Sequence, residues 1–167
     1  MAVSAVKTFI QNEVLTASDL NAMNTLEQDY PGVVFVYMTG HLDGTGPSGN
    51  LYARNNQIRD YCVANDKVLF DFADIESYDP DGTYYKYAHD NCNYYNENLL
   101  KIGNWANEWE NSHTEGVDWF HCNAAHSQAL NGNLKAYAAW WLWCRLAGWD
   151  GMVGVSHPSN ENEIRVY

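Results

Sequence analysis

The sequence is short of positive charge. Nine Lys and Arg stand against 21 Asp and Glu, a net charge of −12. So acidic a chain is repelled by phosphate backbones and by anionic lipid, which excludes nucleic acid as an expected partner. Long hydrophobic runs are also missing. The most apolar stretch, AYAAWWLWC at residues 136–144, is about half the length a bilayer span needs, and Lys135 and Arg145 flank it. No membrane partner is expected. The first residues lack the basic-then-apolar pattern of a leader. Cysteines are few and stand far apart, at 62, 92, 122 and 144, with no CxxC pair to suggest zinc. Internal repeats are absent, and nothing in the chain asks for a cofactor. Aromatic residues are plentiful, with seven Trp and 12 Tyr. Such residues fill cores and also line carbohydrate or apolar ligand sites.

The length suits one domain with a real core, expected over residues 1–154, with a linker-like tail over 155–167. Thr16 and Asp19 form a capping-box pattern that opens a helix over 17–29, with Leu20, Met23, Leu26 and Tyr30 on one broad face. Tyr30-Pro31-Gly32 ends it. The apolar run VVFVYM at 33–38 is expected as a buried strand, and it stops at the glycine-rich loop TGHLDGTG. Residues 51–65 repeat Leu51, Asn55, Ile58 and Cys62 at helical spacing, with Arg54 and Arg59 expected in water. KVLFDFADI at 67–75 then reads as a second strand, strongest over 68–72. Strand, helix and strand with short links make a βαβ unit, so the two strands are expected to be parallel neighbours. The fold class is therefore α/β.

Residues 77–128 form a long polar excursion, expected to be functional, locally helical or stapled. Residues 104–110 suit a short helix with Trp105 and Trp109 one turn apart. The last helix is expected over 129–149, with Leu130, Leu134, Tyr137, Trp141 and Cys144 on its inner face. Cys62 and Cys144 fall on helices and are expected as buried thiols. Cys92 and Cys122 fall in irregular segments, where a disulfide between them would staple loops. The Asp and Asn in DPDG and HDNCNYYNEN invite calcium, but their spacing fits no EF-hand loop and Asp-rich turns explain them. No metal site is expected.

Ligands in open α/β sheets bind at the carboxyl ends of strands. That edge should carry Thr39, Gly40, His41 and Asp43 after the first strand, and Asp74 and Glu76 after the second. An ordinary connecting loop with a capping Asp would give the same local pattern. His126, just ahead of the last helix, is placed to act as a general base, or to serve as a hydrogen-bonded loop residue. Asn123–His126 is expected to join the other two segments in one pocket.

The runs YPGVVFVYMTGHLDG, RNNQIRDYC, KVLFDFADIESYDPDG, CNAAHSQALNGN and AWWLWCRLAGWDG resemble the C-terminal half of secreted bacterial SGNH (GDSL-like) hydrolases, over roughly residues 18 to 150. The resemblance implies a flavodoxin-like three-layer α/β/α sandwich and an esterase or acylhydrolase, many relatives acting on acylated carbohydrate. It gives His126 the place of the catalytic His. Asn123 stands where these hydrolases usually have Asp, and Asn orients an imidazole without stabilising its cation. Their nucleophilic Ser precedes the matched region, and Ser4, Ser18, Ser48 and Ser127 lie in no nucleophile motif. A truncated domain or an inactive relative is therefore implied. The ending NEIRVY resembles the opening of a type IX export sorting domain, which implies secretion or cell-surface display.

Three functions compete. One is an SGNH-like esterase or acylhydrolase with His126 as base. Another is a non-catalytic extracellular module that binds a glycan, a small molecule or a partner. The third is a metal-dependent hydrolase using His41, Asp43, His121 and His126, a spacing that fits no zinc motif. A short sheet would also leave an edge through which two copies could pair.

Overall fold

The computed structural model describes residues 17–151, and side chains from residue 22 onward. The chain divides into two compact units that meet between Val34 and Phe35. Within the first unit, α1 spans Ala17–Asp29, where the sequence places it. Thr16, the Leu20 side chain and the 155–167 tail lie outside what is described.

The second unit opens with β1, Val36–Met38, then α2, Asn50–Ala64, and β2, Val68–Phe70. The strands are parallel, in the register Val36 to Val68, Tyr37 to Leu69 and Met38 to Phe70. The βαβ expectation is met and the chain is mixed α/β. Asn65 caps α2, and Asp66 turns the chain with φ of +51°. Both strands are shorter than the apolar runs suggest. Val33 belongs to a turn, its N–H bonded to the Tyr30 carbonyl. The second strand stops because Asp71 caps the short helix α3, Phe72–Ile75, accepting the Asp74 N–H on its side chain. Residues 71–75 are thus a capped turn of helix rather than a strand end.

The polar excursion supplies five of the six residues of the buried hydrophobic cluster. A hairpin of β3, Asn93–Tyr95, and β4, Lys101–Asn104, leads into α4, Trp105–Ser112. Asn104 caps α4 through the Asn107 N–H. Trp105, Ala106, Trp109, Ala88 and Cys92 pack with Leu130 at the start of α5, Ala129–Leu146. Glu110 holds that start by accepting the Leu130 N–H at 2.7 Å.

Two expectations are corrected here. The buried face of α5 carries Leu130, Asn131, Asn133 and Leu142, while Tyr137 is exposed and Trp141 and Cys144 are half-buried. Asn133 takes an inward place because its side chain bonds both the N–H and the carbonyl of Phe120. No disulfide joins Cys92 to Cys122, and none of the four cysteines is in a disulfide. Cys92 is fully buried with its sulfur 3.1 Å from Ser127 Oγ, and Cys122 is exposed beside the Ala129 carbonyl. The stapling role falls to the Trp105 core instead.

Candidate functional site

The loop after β1 is anchored almost atom by atom. Thr39 is buried. Its hydroxyl donates to Asp71 Oδ1 and accepts the Ala73 N–H, both at 2.9 Å. The backbone of Gly40 pairs with the Asn55 side chain, N–H to Oδ1 at 2.9 Å and Nδ2 to carbonyl at 3.0 Å. A Cβ on Gly40 would sit 3.1 Å from Leu51 Cδ1, so α2 approaches closely here and any larger residue would have to push that side chain aside.

Glu76 is the hub of this edge. Its carboxylate is wholly buried. Oε2 accepts the Leu42 N–H at 2.8 Å, and Oε1 lies 2.9 Å from His41 Nδ1 and 2.7 Å from Lys135 Nζ on α5. A buried charge needs such partners. Phe72 packs beneath them, 4.4 Å from Lys135 Nζ and 4.8 Å from the His41 ring. Backbone bonds then tie the loop to residues 88–90, Gly44 N–H to the Ala88 carbonyl and Asp90 N–H to the Leu42 carbonyl. Next to that seam, His89 Nδ1 pairs with the Asp90 carboxylate.

Beside the anchored loop lies a cavity of about 330 Å³. Asp43, Tyr52, Arg59, Asp74, Tyr84 and Lys86 supply its polar wall. Arg59 is fixed by two bonds to Asp71, Nε to Oδ2 at 2.5 Å and Nη2 to Oδ1 at 2.8 Å. Burial works against the Arg59 cation, but its hydrogen bond to Asp71 and that carboxylate's charge raise its pKa overall. Asp74 is raised above the ordinary carboxylate value, first by burial and then by the Asp71 charge, against the pull of Arg59. Among the described residues, no group donates to the Asp74 carboxylate, and the Tyr52 and Tyr84 hydroxyls have no partner. Tyr78 lies against Tyr84 at the rim, ring centres 5.0 Å apart and planes tilted by 36°. The cavity thus offers one half-buried acceptor, two phenols and a guanidinium in a preset position.

Of the residues singled out in the sequence, Asp43 and Asp74 face this cavity. Thr39, Gly40 and Glu76 hold the scaffold, and His41 leans on Glu76. Asn123 and His126 are exposed and outside the cavity wall, and no hydrogen bond joins them. The single pocket expected from all three segments therefore forms from two. The third segment is drawn away because Ser127 is held by the Asn131 side chain at 2.7 Å and packs on Cys92. Among the described residues, no group of three His, Cys, Asp or Glu could hold a metal, so His41, Asp43, His121 and His126 do not assemble. Ser112 Oγ lies 3.0 Å from His113 Nδ1, but that nitrogen also faces the Trp109 carbonyl at 2.8 Å. It must carry a proton there, so it is no base for the serine.

Tyr52, Arg59 and Tyr84 escaped the sequence reading. A signal existed for two of them: Tyr52 and Arg59 lie seven residues apart with Asn55 between, one stripe of α2. Tyr84 had none, since it reaches the cavity from the irregular excursion. No protein-family model matches the chain, and no curated protein or solved structure matches it either.

Proposed function

We propose that this chain recognises a polyhydroxylated, glycan-type ligand in the cavity beside β1. The observation that carries this is the Asp74 carboxylate, half-buried, lining a cavity and accepting no hydrogen bond from the described residues. A carboxylate partly withdrawn from water and free of protein donors is an acceptor that a ligand hydroxyl can satisfy. Sugar hydroxyls donate, and the Tyr52 and Tyr84 hydroxyls would accept and donate in turn. Two carboxylates, Asp43 and Asp74, balance Arg59 and Lys86 around the cavity, which suits a neutral ligand. The setting is taken to be extracellular, on the strength of the resemblance to secreted proteins. The test is calorimetric titration with neutral mono- and disaccharides. Asp74→Ala and Tyr84→Ala should each weaken binding by about tenfold, the worth of one lost hydrogen bond to a charged or ordered group. Unchanged binding in both variants would remove the cavity from the account.

One observation favours a second reading, an SGNH-like esterase or acylhydrolase acting on acylated carbohydrate. His126 stands exposed directly ahead of α5, with neither ring nitrogen held by a described residue. In that reading the cavity holds the sugar and His126, outside the cavity wall, acts as base on an acyl group that extends beyond it. A flavodoxin-like three-layer sandwich belongs to the same reading. The parallel pair with its α2 crossover supports it, as does Val68 of β2 sharing a small cavity with Leu142 and Leu146 of α5. Turnover of p-nitrophenyl acetate and labelling by a fluorophosphonate test it. Hydrolysis lost in His126→Ala favours the enzyme; no turnover and no labelled serine leave the binding module.

A further inference from the structure

The cavity does not end at its rim. Asp74 and Tyr78 also line a second hollow of about 380 Å³, shared with Leu134, Tyr137 and Trp141. Tyr137 and Trp141 in turn line a third of about 430 Å³, with Trp140, Cys144 and Trp149. Neighbouring hollows that share lining residues thus form a row, from the Asp74 cavity along α5. Between Leu134 and Cys144 it follows about 15 Å of helix.

We propose that this track is a row of aromatic subsites for an extended neutral glycan chain, so that the ligand is an oligosaccharide or polysaccharide rather than a single sugar. The inference rests on the glycan reading of the cavity and adds its length and charge class.

The wall chemistry selects the occupant. Tyr78, Tyr137, Trp140, Trp141 and Trp149 present rings, and in the second and third hollows the branched aliphatics are Leu134 and Ile75 alone. Flat rings with polar tips suit sugar faces that are apolar on one side and hydroxylated at the edge. An acyl chain would be better served by an enclosed aliphatic tunnel, and this track is open. Two of the rings stand far into solvent, Trp140 66 % and Tyr137 55 % exposed. A contiguous exposed aromatic patch of this kind marks a binding surface. Trp141 is held ready by Trp149, edge to face at 4.7 Å, and by Gly151, where a Cβ would lie 3.2 Å from its ring. Asp74 and Asp79 along the track and a net charge of −12 oppose an anionic polysaccharide, and the same charge opposes a second copy of the chain.

The test is calorimetric titration with cello- and xylo-oligosaccharides of increasing length, from two to six units. The expected affinity rises by about tenfold or more from the shortest to the longest. Tyr137→Ala and Trp141→Ala should flatten that rise while leaving disaccharide binding unchanged. Tyr137 is exposed, so its removal leaves the fold in place if Trp141→Ala does not. Equal affinity at every length overturns the track and leaves the cavity reading standing. No binding at any length overturns both. Octyl glycoside binding that Trp141→Ala abolishes, with oligosaccharide binding unaffected, would make the track an acyl groove. Concentration-dependent self-association lost in Tyr137→Ala would make it a dimer contact. Either result contradicts the glycan track.

Discussion

Lys135 reaches from α5 to within 2.7 Å of Glu76, 59 residues earlier in the chain, and the two meet with Glu76 wholly out of solvent. The contact joins the last helix to the loop after β1, because the same carboxylate holds Leu42 and His41. A single buried side chain thus sets the geometry of the edge on which the cavity is built.

Glu76→Gln should therefore destabilise the protein by about 3 kcal/mol, the scale of breaking a buried ion pair from one side. Lys135→Met should cost less, since Leu42 and His41 remain on the carboxylate. Urea unfolding of the two variants checks the order. Equal, small losses would mean that Glu76 is no hub.

Asp74 should behave in the opposite sense. Its folded pKa lies above its unfolded value, so the folded chain takes up this proton first as pH falls. Ionised Asp74 therefore lowers stability at neutral pH, and the penalty lifts as pH drops through the folded pKa. Asp74→Asn should raise the melting temperature at pH 7, with an advantage that shrinks toward about pH 4. A ligand site that is costly to the fold has this signature. A variant less stable than the parent at pH 7 would contradict it.

Four thiols should titrate with Ellman's reagent in the unfolded, unreduced protein. In the native protein Cys122 should react first. Cys92 should be protected, since burial pushes its thiol up to about 12 and little thiolate forms near neutrality. A count of two would restore a disulfide.

The sequence carried the βαβ unit clearly, because β1, α2 and β2 are set by local periodicity and short links. α4 was legible for the same reason, with Asn104 at its cap. The inner face of α5 was not. Tyr137 and Trp141 look like core by hydropathy, yet Asn133 took a buried place by pairing both ends of its amide with Phe120, and Asn131 did so by donating its Nδ2 to Ser127 and to the Asp90 carbonyl, with its Oδ1 left unpartnered among the described residues. Asp71 was read as part of a strand because its neighbours are apolar, and its capping of Asp74 shows only once the chain is folded. The cavity was half legible. Asp43 and Asp74 follow from strand order, whereas Tyr84 arrives from a polar segment without period. His126 stood out by residue type, by its place ahead of the last helix and by the resemblance, whereas its position outside the cavity depends on how Ser127 and Cys92 pack.

The most direct measurement is a titration of the isotopically labelled protein with neutral disaccharides, followed by amide chemical shifts. The expected shifts cluster at residues 40–46, at Tyr52, Asn55 and Arg59, and from Asp74 to Tyr84, and they vanish in Asp74→Ala. Spectra that stay still, or shifts confined to His126 and its neighbours, would contradict a glycan site in the cavity beside β1.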